Sequence, residues 1–334
     1  MKPVIYGLSG AALTADERAF FRDADPVGYI LFKRNCIDRR QLRALTDDLR
    51  ALSGRDALPI LIDQEGGRVA RMQPPEWPTF PAGPRFDALY EIAPASAIEA
   101  ARANAQALAL MLAEVGITVD CLPLLDVVQP ETTPMIAERA YGSDPMRVAA
   151  MGRAVLDGLA RGGVVGIVKH MPGHGRAVVD SHHELPIVHA DAAALEVDIR
   201  PFRTLAAAPM AMTCHCVFKA WDAERPATLS PTVIGEVIRG QIGFDGLLMT
   251  DDIDMKALSG SAGEKAAAAL AAGCDVVLDC WGRMDEMVDI GERIGELPVR
   301  GRERLDAAMA TIAGGASGDF DALIAKRDAL LGLV

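Results

Sequence analysis

VVGIVKH, residues 164–170, is apolar from Val164 to Val168 and then ends abruptly in Lys169 and His170. A run that is apolar at successive positions, not alternate ones, suits a strand buried on both faces, as in a parallel sheet. Seven further runs have the same character: PVIYGLS from Pro3, VGYILF from Val27, LPILID from Leu58, ITVDCLPLLDV from Ile117, MAMTCHCV from Met210, GLLMTDD from Gly246 and CDVVLDC from Cys274. Between them lie Ala-, Leu- and charge-rich stretches with helical spacing, such as residues 95–116 and 144–163, the second closing on Gly162 and Gly163 as a helix stop. Strand–helix alternation repeated eight times in 334 residues predicts one (β/α)8 TIM-like barrel spanning residues 1–334 as a single domain, with two further helices after the last strand packing on it. A doubly wound sheet is the structural alternative. It lacks support, because no strand runs into a G-x-G-x-x-G or phosphate-loop sequence, and GSAGEK at 260–265 follows no strand.

Composition narrows the function. Lys and Arg total 34 against 46 Asp and Glu, a net charge of −12, which argues against a nucleic-acid partner. The first residues carry no sustained apolar core of a secretory signal, and no run approaches the roughly 18 apolar residues of a membrane helix. Cys36, Cys121, Cys214, Cys216, Cys274 and Cys280 form no C-x-x-C and sit mostly in apolar runs, as small core residues in a reducing compartment. The expectation is a cytoplasmic monomer without membrane insertion.

Side chains at the C-terminal ends of barrel strands line the active site. Here those ends carry Lys33 and Arg34, then Asp63, Glu65, Arg68 and Arg71, then Asp126, Lys169 and His170, His215, Asp251 and Asp252, and Asp279. One such group is easily a structural ion pair; polar groups at seven consecutive strand ends are hard to explain as packing. The loop after strand five, KHMPGHGRAVVDSHHELP at 169–186, holds four of the six histidines. A metal site, a proton-transfer site and a solvated loop all remain open. The H-x-x-x-H and D-x-H spacings are loose for zinc, and H-E-x-x-H is absent. Asp180 and His182 stand two apart and share a side in an extended segment. A carboxylate there would fix the imidazole tautomer and raise its pKa, so that it gives a proton near neutral pH and takes it back. An aspartate at the end of strand seven supplies the partner for displacement at a sugar carbon. Lys169 as a Schiff-base lysine is disfavoured by its charged company. Of the consecutive Asp251 and Asp252, only one can face the barrel axis. Asp251 comes first past the apolar run; Asp252 is expected to turn away and to cap or pair with a basic residue.

IDQEGGRVARM (62–72), ERAYGSDP (138–145), the 169–186 loop and MTDDIDM (249–255) resemble the bacterial β-N-acetylglucosaminidases of glycoside hydrolase family 3, and most closely the short cytoplasmic kind that acts in cell-wall recycling and so bears on cell shape and division. The resemblance implies Asp251 as nucleophile, His182 as general acid/base with Asp180 as its partner, and Asp63, Arg71, Arg139, Lys169 and His170 as ligands of the terminal N-acetylglucosamine. It implies retention of configuration, no metal and no cofactor. The implied substrate is N-acetylglucosamine β-1,4-linked to 1,6-anhydro-N-acetylmuramic acid, with or without its peptide. MTDDIDM departs from the family's SDDLSM, so Asp254 adds a charge where a serine is usual. A β-glycosidase of other sugar preference, resolution of the intermediate by phosphate, and a binding protein without turnover remain alternatives. The last has no need of both Asp251 and the Asp180–His182 pair.

Overall fold

The structure, a computed structural model, describes residues 1–181 and 184–334. Eight parallel strands close into a barrel: β1 (Lys2–Gly7), β2 (Pro26–Leu31), β3 (Ile60–Ile62), β4 (Val119–Asp120), β5 (Val165–Met171), β7 (Met210–Thr213), β9 (Leu247–Asp252) and β10 (Val276–Asp279). Each lies within one of the eight apolar runs or oversteps it by one residue, β1 and β2 starting one residue before theirs and β5 ending one residue after. Two short strands, β6 (Ile187–Val188) and β8 (Val217–Phe218), pair outside the barrel and tie the end of the loop after β5 to the loop after β7. The run from Met210 therefore splits, with His215 between β7 and β8. In the run from Ile117 the regular strand is two residues long, and Leu124 meets β5 again beyond Pro123 in an isolated bridge to Lys169.

The eight strands are followed in turn by α1 (Ala15–Ala24), α2 (Arg39–Ser53), α3 (Gly83–Ile92) with α4 (Pro94–Glu114), α5 (Pro134–Ala137) with α6 (Pro145–Arg161), α7 (Ala192–Thr204), a π-helix (Val233–Ile242), α8 (Ala262–Ala272) and α9 (Met284–Arg293). Capping is local: Thr14 and Glu17 form a reciprocal capping box at α1, and Ser261 and Glu264 another at α8. α6 stops where expected. Gly163 takes φ +82, a left-handed conformation that suits glycine. Alternation along the strands builds two cores. Ile5, Leu61, Val165, Ile167, Leu247, Met249 and Leu278 fill the barrel, whereas Val4, Ile60, Val168, Leu248 and Val277 pack outward beneath the helices. Two helices follow α9. α10 (Val299–Ala310) sends Leu305, Ala308 and Met309 into the interior cluster and closes the bottom of the barrel. α11 (Phe320–Leu331) packs on α4 and α3. With the bottom sealed, the strand ends at the other face are what remains for chemistry. Among the described residues no helix is long and apolar enough to cross a membrane.

Candidate active site

A cavity of about 510 Å³ opens at the C-terminal strand ends, within the usual range of roughly 300–1,000 Å³ for small-molecule sites. Its lining brings together Asp63, Arg71, Arg139, Lys169, His170, Asp180 and Asp251 from strand-end segments far apart in sequence. His182 lies outside the described residues. Lys33 is exposed and does not line the cavity, while Arg34 does.

The wall after β3 is built by the sequence Asp63-Gln64-Glu65. Gln64 turns away, and its side-chain oxygen accepts the N–H groups of Arg71 (2.8 Å) and Met72 (3.0 Å). The loop is thereby folded back so that Arg71 Nη2 donates to Asp63 Oδ2 at 3.0 Å. Gly66 and Gly67, at φ +96 and +57, make that return possible. Arg139 forks onto Glu65 with two bonds of 2.7 Å. Lys169, only 2% exposed, bridges both acids, at 2.6 Å from Glu65 Oε1 and 3.3 Å from Asp63 Oδ1. Burial alone would raise both carboxyls. Lys169, Arg71 and Arg139 outweigh it, holding Asp63 far below its ordinary range, and Arg139 and Lys169 bring Glu65 down to about 2. Three cations thus face two carboxylates, and the buried Arg71 Nε has no hydrogen-bond partner among the described residues.

A second group hangs on Asp126. Its Oδ2 lies 2.7 Å from His170 Nδ1, and its Oδ1 accepts the N–H of His170 at 3.2 Å and of His174 at 2.7 Å. With Nδ1 so held, Nε2 is the His170 nitrogen left for the cavity. Burial opposes ionisation of Asp126, but His170 and His174 win and bring it to about 2. His174 is driven down to about 4 by burial and by His170, so it is neutral, and its Nε2 reaches Ser181 Oγ at 3.3 Å, next to Asp180. Gly175 packs so tightly that a Cβ there would fall 1.9 Å from the Val127 carbonyl oxygen. Arg176 anchors the same loop on Asp198 at 2.6 Å.

On β9, Asp251 follows the inward Leu247 and Met249, while a register shift against β10 sets Asp252 opposite the inward Leu278, and both acids line the cavity. Asp251 Oδ1 accepts the N–H of Asp252 at 2.8 Å, and Oδ2 has no hydrogen-bond partner among the described residues. Burial would raise this carboxyl; His170, His215, that N–H and Lys169 hold it below the ordinary range. His215, buried and with its pKa lowered by burial, sits 2.9 Å by Nε2 from the Asp252 carbonyl oxygen and 2.8 Å by Nδ1 from Thr228 Oγ1. The expected basic partner of Asp252 is not found among the described residues. Its Oδ1 instead accepts the N–H of Asp254 at 3.2 Å, and Asp254 is the acid that pairs with Arg283. The outward face at β9 and β10 is acidic, so burial, with Asp251 and Asp254 adding to it, raises Asp252 to about 7. Among the described residues no group of three or more His, Cys, Asp or Glu side chains is arranged to hold a metal.

The profile of the glycosyl hydrolase family 3 N-terminal domain matches residues 8–313. The chain belongs to this family. It is therefore a glycoside hydrolase, and the strand-end cavity lies where a barrel hydrolase carries its chemistry. A relative, the β-hexosaminidase of Bordetella avium, is 36% identical over 301 residues, 89% of this chain and 85% of that protein. NagZ from Neisseria gonorrhoeae superposes with a TM-score of 0.87 at 31% identity, covering 99% of this chain and 98% of its own, and has also been solved with N-trifluoroacetyl-D-glucosamine. A family 3 β-N-acetylglucosaminidase from Paenibacillus gives a TM-score of 0.88 at 29% identity; there 98% of this chain matches 66% of the other, so the chain spans slightly less than two thirds of that enzyme.

Proposed function

We propose that the protein is a retaining exo-β-N-acetylglucosaminidase whose one catalytic domain, residues 1–334, removes terminal N-acetylglucosamine from muropeptides in cytoplasmic peptidoglycan recycling, as a monomer and without a cofactor. The observation that carries this reading is the cavity itself, where an ionised aspartate stands beside a wall of fixed donors and acceptors of the size and polarity of one sugar. Asp63, Arg71, Arg139, Lys169 and His170 hold the hydroxyls and acetamido group of that sugar. The wall is rigid because its charges are already paired, so little ordering is left to binding. The β-hexosaminidase names of the relatives and the glucosamine analogue bound by the Neisseria protein support the same sugar.

Asp251 Oδ2 attacks the anomeric carbon while protonated His182 gives its proton to the glycosidic oxygen, and the leaving sugar departs as an alcohol. The glycosyl–aspartate then meets water. Neutral His182 takes one water proton, the hydroxyl joins the anomeric carbon, and the Asp251 carboxylate is released. Two displacements retain the β configuration. Asp180 orients His182 and favours its charged form. Asp251 is suited to its part because its neighbours keep it ionised. The test is Asp251→Asn, expected to abolish turnover while sugar binding persists, with a mechanism-based fluorosugar labelling Asp251 in the parent, read by peptide mass spectrometry. A label on Asp252, or near-parental turnover by the variant, would overturn the assignment.

A further inference from the structure

We propose that Trp281 is the platform on which the leaving group stacks, reading the ring of the second sugar and not its charge. The inference rests on the activity proposed above and extends it to the other side of the cleaved bond. In an exo pocket the terminal sugar fills the closed end, so whatever follows it must lie at the mouth. Trp281 lines that mouth and is 53% exposed. Of the large apolar side chains exposed among the described residues, Trp281 is the one that lines this cavity. The apolar face of a pyranose, with its axial C–H bonds, is a partner of the right shape.

The indole is held, not loose. It follows β10 directly, and Gly282 behind it adopts φ +66 with its backbone so close to Leu8 and Ser9 that a Cβ would fall 2.6 Å from the Leu8 carbonyl carbon. Only glycine makes that turn comfortably, and the turn sets Trp281 at the rim. Two guanidinium groups flank the ring, Arg283 at 5.5 Å and Arg34 at 6.0 Å from its centroid. Both are themselves anchored. Arg34 donates to the carbonyl oxygens of Leu8 (2.7 Å) and Cys280 and lies 4.9 Å over Phe32. Arg283 pairs with Asp254 and, at 2.9 Å, with Glu286. Each guanidinium is held by its Nε and Nη2 groups, so the pair stiffens the indole by cation–π contact. A rigid aromatic surface costs little ordering on binding.

The experiment compares two donors: N-acetylglucosaminyl fluoride, whose leaving group has no ring, and β-1,4-linked di-N-acetylglucosamine, whose leaving group is a neutral sugar. In Trp281→Ala the ratio of kcat/KM for the disaccharide to that for the fluoride should fall about 3- to 10-fold, mostly through KM, the size expected of one aromatic stacking contact. Trp281→Phe should restore most of it. A ratio unchanged in Trp281→Ala, or a loss equal for both donors, overturns the platform alone. A parent enzyme that turns over neither donor overturns the activity and the platform with it.

Discussion

The inner and outer faces of the barrel rim treat buried carboxyls in opposite ways. On the inner face Asp63, Glu65 and Asp126 all sit below their ordinary range, although burial pushes each of them up. On the outer face of β9 and β10, burial raises Asp252 to about 7 and Asp279 to about 8. Asp279 is 1% exposed, and neither of its oxygens has a hydrogen-bond partner among the described residues. Its charged neighbours include the acids Asp252, Glu286 and Asp254, which raise it further, and Arg283, which offsets them in part. Burial acts in the same direction on both faces. What differs is the company of each acid: cations and hydrogen-bond donors outweigh burial for the first set, whereas neighbouring acids add to it for the second. The paired face stays ionised and shaped for a polar ligand; the unpaired face holds protons at neutral pH.

The largest effect should come from making the inner face resemble the outer. Lys169→Met removes the ammonium shared by Asp63 and Glu65. We expect a loss of about 3 kcal/mol in chemical denaturation, the lower end for breaking a buried pair, because Arg71 and Arg139 still hold the two acids. We also expect about 10²-fold in kcat/KM, the scale of losing one preorganised donor. Stability equal to the parent would mean that the paired wall is not what fixes this face. The parent carries the same physics in its acid limb. Glu65 has a folded pKa of about 2 against 4.5 unfolded, so its contribution is present above pH 4.5 and lost as pH falls toward 2.

Asp279→Asn probes the other face and has the opposite sign. A folded pKa of about 8 against 3.8 unfolded means that the folded chain holds a proton the unfolded chain has released. That contribution is full below pH 3.8 and declines as pH rises to about 8, at about 1.4 kcal/mol per pH unit for one proton. The amide cannot ionise, so the variant should lose this slope and gain on the parent steadily from pH 5 to pH 8. Parallel stability curves for the two proteins would show that Asp279 is already ionised and satisfied, for instance by bound water.

Much of this was legible before any coordinates. Doubly buried strands need successive apolar residues, so VVGIVKH and its seven counterparts marked every barrel strand, and the abrupt polar endings marked the cavity rim. The pairing was not legible. Glu65 stands in plain view in IDQEGG, yet that it shares Lys169 with Asp63 depends on β3 and β5, on either side of β4, turning side chains a hundred residues apart to one place. Asp252 was expected to find a base; nothing local reveals that β10 sets Asp279 beside it instead. Trp281 went unnoticed because an aromatic after an apolar run reads as core, and only Gly282 hinted that the chain turns outward there. The acid/base assignment to His182 stays with the motif, since that residue lies outside the described ones.

The smallest effect is the coupling within the acidic face. Of the charges that raise Asp279, Asp252 is the largest after burial itself, and the two stand at the ends of adjoining strands, where Asp252 pairs with Leu278, the residue before Asp279. Two carboxyls so placed release their protons as a pair, each making the other harder to ionise. In Asp252→Asn that repulsion is gone while burial remains. Asp279 should therefore titrate below about 8, and the upper edge of the pH window in which stability declines should move down with it. A displacement of about one pH unit corresponds to about 1.4 kcal/mol, measurable as a difference in urea midpoints at pH 8. The double variant Asp252→Asn with Asp279→Asn should show less than the sum of the two single gains at pH 8, because each single change already relieves the shared repulsion. Strict additivity would mean that the two acids do not sense one another and that burial alone raises them.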